Sequence, residues 1–326
     1  MSTAASPRPV CAVLDDYQGV ALSAADWSAV AENYEIRVLS EPLSDVEETR
    51  RALADCRVVV AMRERTPFPA SLLAALPELR LLVTTGMANA SIDLEAARSH
   101  GIVVCGTASS SVPPAELTWA LLLGIARNLH VEIASMRAGG WQQTVGTDLE
   151  GSTLGVIGLG KIGSRVAGIG RGFGMSVLAW SENLDQSRAD ECGVQLSGSL
   201  DELLGASDFV SIHLRLGDRS RDLIGEQQLR SMRPTSVLVN TSRAEIVNQE
   251  ALVRALEDGW IAAAGLDVFD QEPLPPDSPF RRLPNVLSLP HLGYVTESNY
   301  ARFYSGAVED IIGFDAGAPV RVLNQD

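Results

Sequence analysis

Short apolar runs of four or five residues recur through the first hundred positions, separated by segments with helical character. Val10–Leu14, Ile36–Leu39, Val58–Met62, Leu81–Thr84 and Ile102–Cys105 read as strands. Ala24–Ala31, an acidic stretch at Ser44–Ala54, Ser71–Leu76 and Leu94–Ser99 read as helices between them. Unbroken apolar runs alternating with helices are the pattern of parallel strands covered on both faces. The segment is therefore a complete small α/β domain. Ser111-Val112-Pro113-Pro114-Ala115-Glu116 then carries helix-start signals: a serine cap, prolines in the first turn and an early glutamate. Leu117–Ala126 continues it as a long apolar helix bridging to the next domain.

The alternation resumes at Leu154. Strands are expected at Leu154–Ile157, Val177–Trp180, Phe209–His213, Val237–Asn240, Ala263–Leu266 and Val286–Leu289. Helices are expected at Gly163–Gly170, Leu200–Leu204, Gly225–Met232 and Gln249–Glu257, with a last one at Glu297–Ile312 returning to the first domain. Six strands with crossover helices predict a doubly wound parallel sheet. The fold class is thus α/β, with two doubly wound parallel-sheet domains.

Composition narrows the partners. The chain has 326 residues, enough for two cores, and a formal net charge of −15 with no basic block. That argues against nucleic acid and anionic membrane surfaces, so an anionic substrate must be drawn in by local arginines. No apolar run is long enough to span a bilayer and no secretory h-region is evident, which predicts a soluble cytoplasmic protein. Cys11, Cys56, Cys105 and Cys192 are widely spaced and fit reduced thiols; no Cys/His cluster has metal spacing. Lys161 is the only lysine and lies inside a glycine loop, so Schiff-base chemistry is not expected.

That loop is Gly158-Leu159-Gly160-Lys161-Ile162-Gly163, a G-x-G-x-x-G between a strand and a helix. Its first glycine permits the tight turn, its second lets backbone approach a pyrophosphate, and its third lets helix and strand pack closely. At the end of the next strand, where an acidic residue binds the adenosine ribose, stands Ser181. Serine tolerates a 2′-phosphate, which favours NADP(H), while the adjacent Glu182 leaves NAD(H) open. Polar clusters also follow three later strands: Asn240-Thr241-Ser242-Arg243, Asp267 through Glu272-Pro273, and Pro290-His291-Leu292-Gly293. An arginine there can clamp a carboxylate with paired hydrogen bonds. A histidine beside a glutamate is a proton donor whose charged form the carboxylate favours.

Together these motifs resemble the D-isomer-specific 2-hydroxyacid dehydrogenases over nearly the whole chain, most strongly over residues 110–297. The resemblance implies that Arg243 binds substrate, that Glu272 partners the acid/base His291, and that Asp267 holds the nicotinamide carboxamide. It implies cofactor contacts from Gly158, Gly160, Lys161, Ile162, Gly163, Ser181, Thr241 and Ser242. Thr84-Thr85-Gly86-Met87-Ala88-Asn89 resembles the loop whose N–H groups bind the substrate carboxylate, through Gly86 and Met87. Two departures stand out: Ser181 in place of the usual Asp, and Ala244 after Arg243 where Gly is frequent. The implied organisation is a flavodoxin-like substrate domain (1–107 and 298–326) interrupted by a Rossmann cofactor domain (108–297), with the active site in the cleft and a homodimer formed through the cofactor domain.

The implied reaction is reduction of a small 2-oxo acid to a D-2-hydroxy acid with NAD(P)H, as in glyoxylate or hydroxypyruvate reductases. Met62-Arg63-Glu64-Arg65-Thr66 follows a strand of the first domain. Arg65 there would favour a distal carboxylate and Glu64 a cationic tail. Reduction of a 2-imino acid to a D-amino acid, and a dinucleotide-sensing binding protein, are the two alternatives.

Overall fold

The computed structural model describes residues 7–43 and 45–325. The chain divides into two compact units, the described residues of Met1–Ser110 with Val295–Asp326, and Ser111–Tyr294. All ladders between named strands are parallel.

The first unit carries β1 (Val10–Val13), β2 (Glu35–Val38), β3 (Cys56–Ala61), β4 (Leu81–Thr84) and β5 (Val103–Gly106), in the order β2-β1-β3-β4-β5. This is the flavodoxin-like winding. Its strands read as continuous apolar runs because helices cover them; Val59, Leu82 and Val104 are fully buried with Leu72, Leu73 and Phe68. The helix Val46–Leu53 is capped by the Asp45 carboxylate, which accepts from the Glu48 N–H at 2.8 Å; Ser44, where the sequence pattern begins this helix, lies outside the described residues. The helix Glu297–Asp315 packs on β4 and β5. Beyond it the chain runs beside β5: Gly106 N–H donates to Arg321 O, Leu323 N–H to Val104 O, and Val104 N–H to Asn324 Oδ1.

The second unit carries β6 (Thr153–Ile157), β7 (Ser176–Trp180), β8 (Gln195–Leu196), β9 (Phe209–Ile212), β10 (Val237–Asn240), β11 (Ala263–Leu266) and β12 (Val286–Ser288). Their order is β12-β11-β10-β9-β6-β7-β8. The winding reverses between β6 and β9, which makes the mouth between them the place where an open α/β sheet binds ligands. One face packs the helices Val112–Ala126 and Lys161–Gly172, the other Leu200–Ala206, Glu226–Ser231 and Gln249–Glu257.

Three departures from the sequence expectation have local causes. The sheet has seven strands, not six, because β8 is only two residues long and shows no periodicity. The helix Leu129–Arg137 escapes the pattern because it buries none of its residues and follows a left-handed break at Asn128, φ 50°. Ser111 does not cap the helix Val112–Ala126. Pro113 and Pro114 occupy the positions whose N–H groups a cap would accept from, and proline has none. The Ser111 hydroxyl accepts from Arg165 Nε instead, at 3.2 Å.

Candidate active site

The glycine loop connects β6 to the helix Lys161–Gly172, and each glycine meets a different constraint. Gly158 has φ 97°, and a Cβ there would sit 2.8 Å from the His213 carbonyl oxygen. A Cβ on Gly163 would lie 2.0 Å from the Gly158 oxygen, so only glycine lets the helix approach its own loop. Gly160 differs: nothing lies within 4 Å of its missing Cβ. That open space, at the N-cap of a twelve-residue helix without a side-chain cap, leaves backbone N–H groups and the positive dipole end for an anion. Elsewhere in the unit Asp185, Ser199 and Asn248 fill this place with capping side chains. The residues present therefore fit the pyrophosphate of a dinucleotide. Lys161 is exposed as the first residue of that helix, and Ser181 follows the carboxyl end of β7.

Three neighbouring strands, β10, β11 and β12, bring the catalytic candidates to one edge. The ladder runs past their ends: Asp267 N–H donates to Asn240 O at 3.0 Å and Leu289 N–H to Leu266 O at 2.8 Å. After β10, Asn240 folds the turn that presents Arg243. Its Oδ1 accepts from Ser242 N–H at 3.0 Å, and its Nδ2 donates to Arg243 O at 2.9 Å. Thr241 and Thr118 share a hydroxyl hydrogen bond of 2.8 Å, and the Ser242 hydroxyl donates to Leu214 O. Arg243 Nη1 donates to Ser242 O at 2.8 Å.

Glu272 and His291 meet directly. His291 Nδ1 lies 2.6 Å from Glu272 Oε2. A carboxylate only accepts, so Nδ1 carries the hydrogen and Nε2 is the atom left for proton exchange. The second Glu272 oxygen accepts the Phe269 N–H at 2.9 Å, which fixes the carboxylate. His291 itself sits in the left-handed region, φ 54°, a conformation that a non-glycine residue holds only when its surroundings impose it. Those surroundings are visible. Asp267 is fully buried, and its two oxygens accept the N–H groups of Leu292 at 2.7 Å and Gly293 at 2.8 Å. Burial pushes its pKa up to about 6, against the lowering effect of those two N–H groups and of His291. In this arrangement Asp267 holds the His291 loop. The Tyr294 ring stands edge-on to the imidazole with centroids 5.5 Å apart.

In the first unit the expected carboxylate loop follows β4. Gly86 has φ 101°, but its N–H donates to Thr107 Oγ1 at 3.0 Å. Gly86 therefore shapes the loop and does not offer its N–H as a donor. Met87 beside it is half exposed. The residue placed on this loop is Arg63, to which the sequence pattern assigns no role: its Nη1 donates to Thr85 O at 3.3 Å, and a Cβ on Gly86 would overlap it. Glu64 lies 3.6 Å from Arg63, which offsets the charge it would offer a cationic tail. Arg65 donates to Asp15 O at 3.1 Å and stacks over the Tyr17 ring at 4.4 Å.

No group of three or more His, Cys, Asp or Glu able to hold a metal occurs among the described residues. All four thiols are unpaired. No described helix is long and apolar enough to cross a membrane.

Residues 119–293 match the family described as D-isomer specific 2-hydroxyacid dehydrogenase, NAD binding domain. The chain belongs to that family. It is 38% identical over 280 residues to a glyoxylate reductase of Korarchaeum cryptofilum, covering 83% of this chain and 84% of that protein. It is 40% identical over 266 residues to a glyoxylate reductase of Aeropyrum pernix, covering 78% and 79%. A crystal structure of a phosphoglycerate oxidoreductase from Vibrio cholerae superposes with a TM-score of 0.90 at 38% identity, over 95% of this chain and 99% of that one. The chain is accordingly an oxidoreductase with a nicotinamide dinucleotide cofactor, acting between 2-oxo acids and D-2-hydroxy acids.

Proposed function

We propose that this enzyme reduces a small, unbranched 2-oxo acid such as glyoxylate or hydroxypyruvate. Arg243, Glu272 and His291 are its catalytic residues, and NADP(H) is used at least as well as NAD(H). The observation that carries the reading is the His291–Glu272 pair at 2.6 Å on the same sheet edge as the glycine loop. The nicotinamide, when bound, supplies hydride to the carbonyl carbon. Protonated His291 gives its Nε2 proton to the oxygen that becomes the hydroxyl, and Glu272 fixes the ring and stabilises its charge. Arg243 grips the carboxylate and polarises the carbonyl. Within the first unit, Met87, on the loop that Gly86 shapes, is the candidate for a substrate contact. Thr241, Ser242 and the glycine loop hold the cofactor; Asp267, whose two oxygens accept the Leu292 and Gly293 N–H groups, acts through the loop it anchors and not as the direct holder of the nicotinamide carboxamide that the resemblance implies. The glyoxylate reductases among the relatives support a short substrate.

Initial rates with glyoxylate, hydroxypyruvate, pyruvate and bulkier or charged 2-oxo acids, each with NADH and NADPH, test this. Fastest turnover is expected with the two smallest. Turnover only with an added amine donor would transfer the reading to 2-imino acids.

The homodimer reading has its own support. Leu129, Ile133 and Met136 are about half exposed at positions i, i+4 and i+7 of one helix, and Trp141 and Val145 nearby are 69% and 94% exposed. A stripe of that kind marks a protein-contact surface. Light scattering of wild type and of Ile133→Glu/Trp141→Ser should give a dimer and a monomer respectively. Placement in the cytoplasm suits the unpaired thiols, three of them buried.

A further inference from the structure

A cavity of about 470 Å³ opens beside the carboxyl ends of β7 and β9. Trp180, Ser181, Glu182 and Asn183 line one wall, and the stretch Leu214 to Ser220 lines the other. Because β7 is the strand next to the glycine-loop strand β6, this is where an extended dinucleotide places its adenosine ribose. We propose that Arg215, assisted by Arg219 and Ser181, seats the 2′-phosphate of the adenosine ribose, and that this pair of arginines sets the preference for NADP(H). The proposal rests on the dinucleotide reading of the glycine loop and goes beyond it in naming the groups that read the phosphate.

Four observations converge. First, the loop after β9 abuts the glycine loop: His213 N–H donates to Ile157 O at 2.7 Å, and a Cβ on Gly158 would meet the His213 oxygen. Arg215 is two residues further on. Second, the loop backbone is fixed before any ligand arrives. The Ser220 hydroxyl lies 2.8 Å from Arg215 O and 3.1 Å from Gly217 O, and accepts the Gly217 N–H at 2.9 Å. Third, several other exposed arginines of this unit are committed: Arg188 to Glu191, Arg230 and Arg254 to Glu226, Arg233 to Asp208. Among the described residues, no ion pair or side-chain hydrogen bond engages the guanidinium of Arg215 or of Arg219. Fourth, Ser181 offers a hydroxyl in place of a carboxylate, so the first residue past the strand does not repel a phosphate dianion. Guanidinium forks match phosphate oxygens in geometry as well as charge. The exposed carboxylates Glu182 and Asp218 also line the cavity, and Glu182 is the competing group, able to accept from a bare 2′-hydroxyl.

Calorimetric titration with 2′,5′-ADP and with 5′-AMP separates these roles without turnover. Wild type should bind 2′,5′-ADP at least about tenfold more tightly than 5′-AMP, as expected for charged hydrogen bonds. Arg215→Ala should remove most of that ratio and leave 5′-AMP affinity unchanged, Arg219→Ala should remove less, and Glu182→Gln should raise the ratio. Circular dichroism confirms that the variants are folded. Equal affinity of wild type for both nucleotides overturns the proposal while leaving the dinucleotide reading intact. So does equal weakening of both by Arg215→Ala, which would make Arg215 a platform for the adenine ring. Binding of neither nucleotide overturns the dinucleotide reading itself, and the proposal with it.

Discussion

The two flanks of the Ser111–Tyr294 sheet are built on opposite principles. On the β10–β12 flank nearly every polar group has its orientation fixed. Asn240 brackets the Arg243 turn, Asp267 holds the His291 loop by two N–H groups, and Phe269 N–H holds the carboxylate that holds His291. On the β7 flank the loop backbone is set, but the side chains Ser181, Glu182, Arg215 and Arg219 stand at the wall of a cavity, with no side-chain hydrogen bond or ion pair among the described residues. On the proposed mechanism the first flank must place reacting atoms within tenths of an ångström, which its pre-organised groups suit. The second, on the proposed reading, discriminates between cofactors, and side chains not tied into the fold can change that preference without disturbing the chemistry.

Substitutions on the fixed flank should therefore cost the most. His291→Gln removes the proton donor and should lower kcat for 2-oxo acid reduction by about 10²–10⁴-fold. Glu272→Gln should lose less, since the ring remains. Fluorescence titration with reduced dinucleotide should show near-normal binding in both, and wild-type rates in His291→Gln would remove it from the proton path. Arg243→Ala should reduce kcat/KM by at least about tenfold through loss of the carboxylate fork, with Arg243→Lys restoring only part. Unchanged kcat/KM in the alanine variant would place the substrate elsewhere.

Asp267 gives a pH-dependent test of the same flank. Its pKa in the folded chain is about 6, above the ordinary 3.8, so the folded state binds this proton more tightly than the unfolded state. That contribution is fully present below about pH 4 and is lost as pH rises through about 6. Denaturant titrations should thus show wild type losing up to about 3 kcal/mol relative to Asp267→Asn between pH 4 and pH 7. A stability difference independent of pH would mean that the carboxyl is not held in a desolvated site.

The smallest effect belongs to the uncommitted flank. Ser181→Asp should shift the NADPH/NADH ratio of kcat/KM about tenfold toward NADH, corresponding to about 1.4 kcal/mol, with little change in the NADH rate. An unchanged ratio would remove the ribose from Ser181, and a large loss with both cofactors would erase the contrast between the flanks.

The same contrast sets what the sequence makes legible. Parallel strands buried on both faces announce themselves as apolar runs, and the G-x-G-x-x-G carries its geometry in three residues. Arg243, Glu272 and His291 each stand at a short offset from a strand end, so a linear reading picks them out as candidates. Arg215 and Arg219 are more than thirty positions from Ser181, and only the sheet order, which seats β6 between β7 and β9, brings them to one cavity. Commitments of single donors are equally invisible: Thr107 takes the Gly86 N–H, and Arg63 rather than Arg65 lies on that loop. Ser111 misleads because a cap needs donors that two prolines remove.

The lone lysine has a practical consequence. Lys161 opens the cofactor helix and is exposed, and no other side chain in the molecule carries a primary amine. Apart from the terminal α-amine, an amine-directed fluorophore would therefore attach to this one side chain, at the mouth of the proposed phosphate cradle. Its emission would report occupancy of that cradle directly, and protection of the amine by added nucleotide would measure affinity with no substrate present.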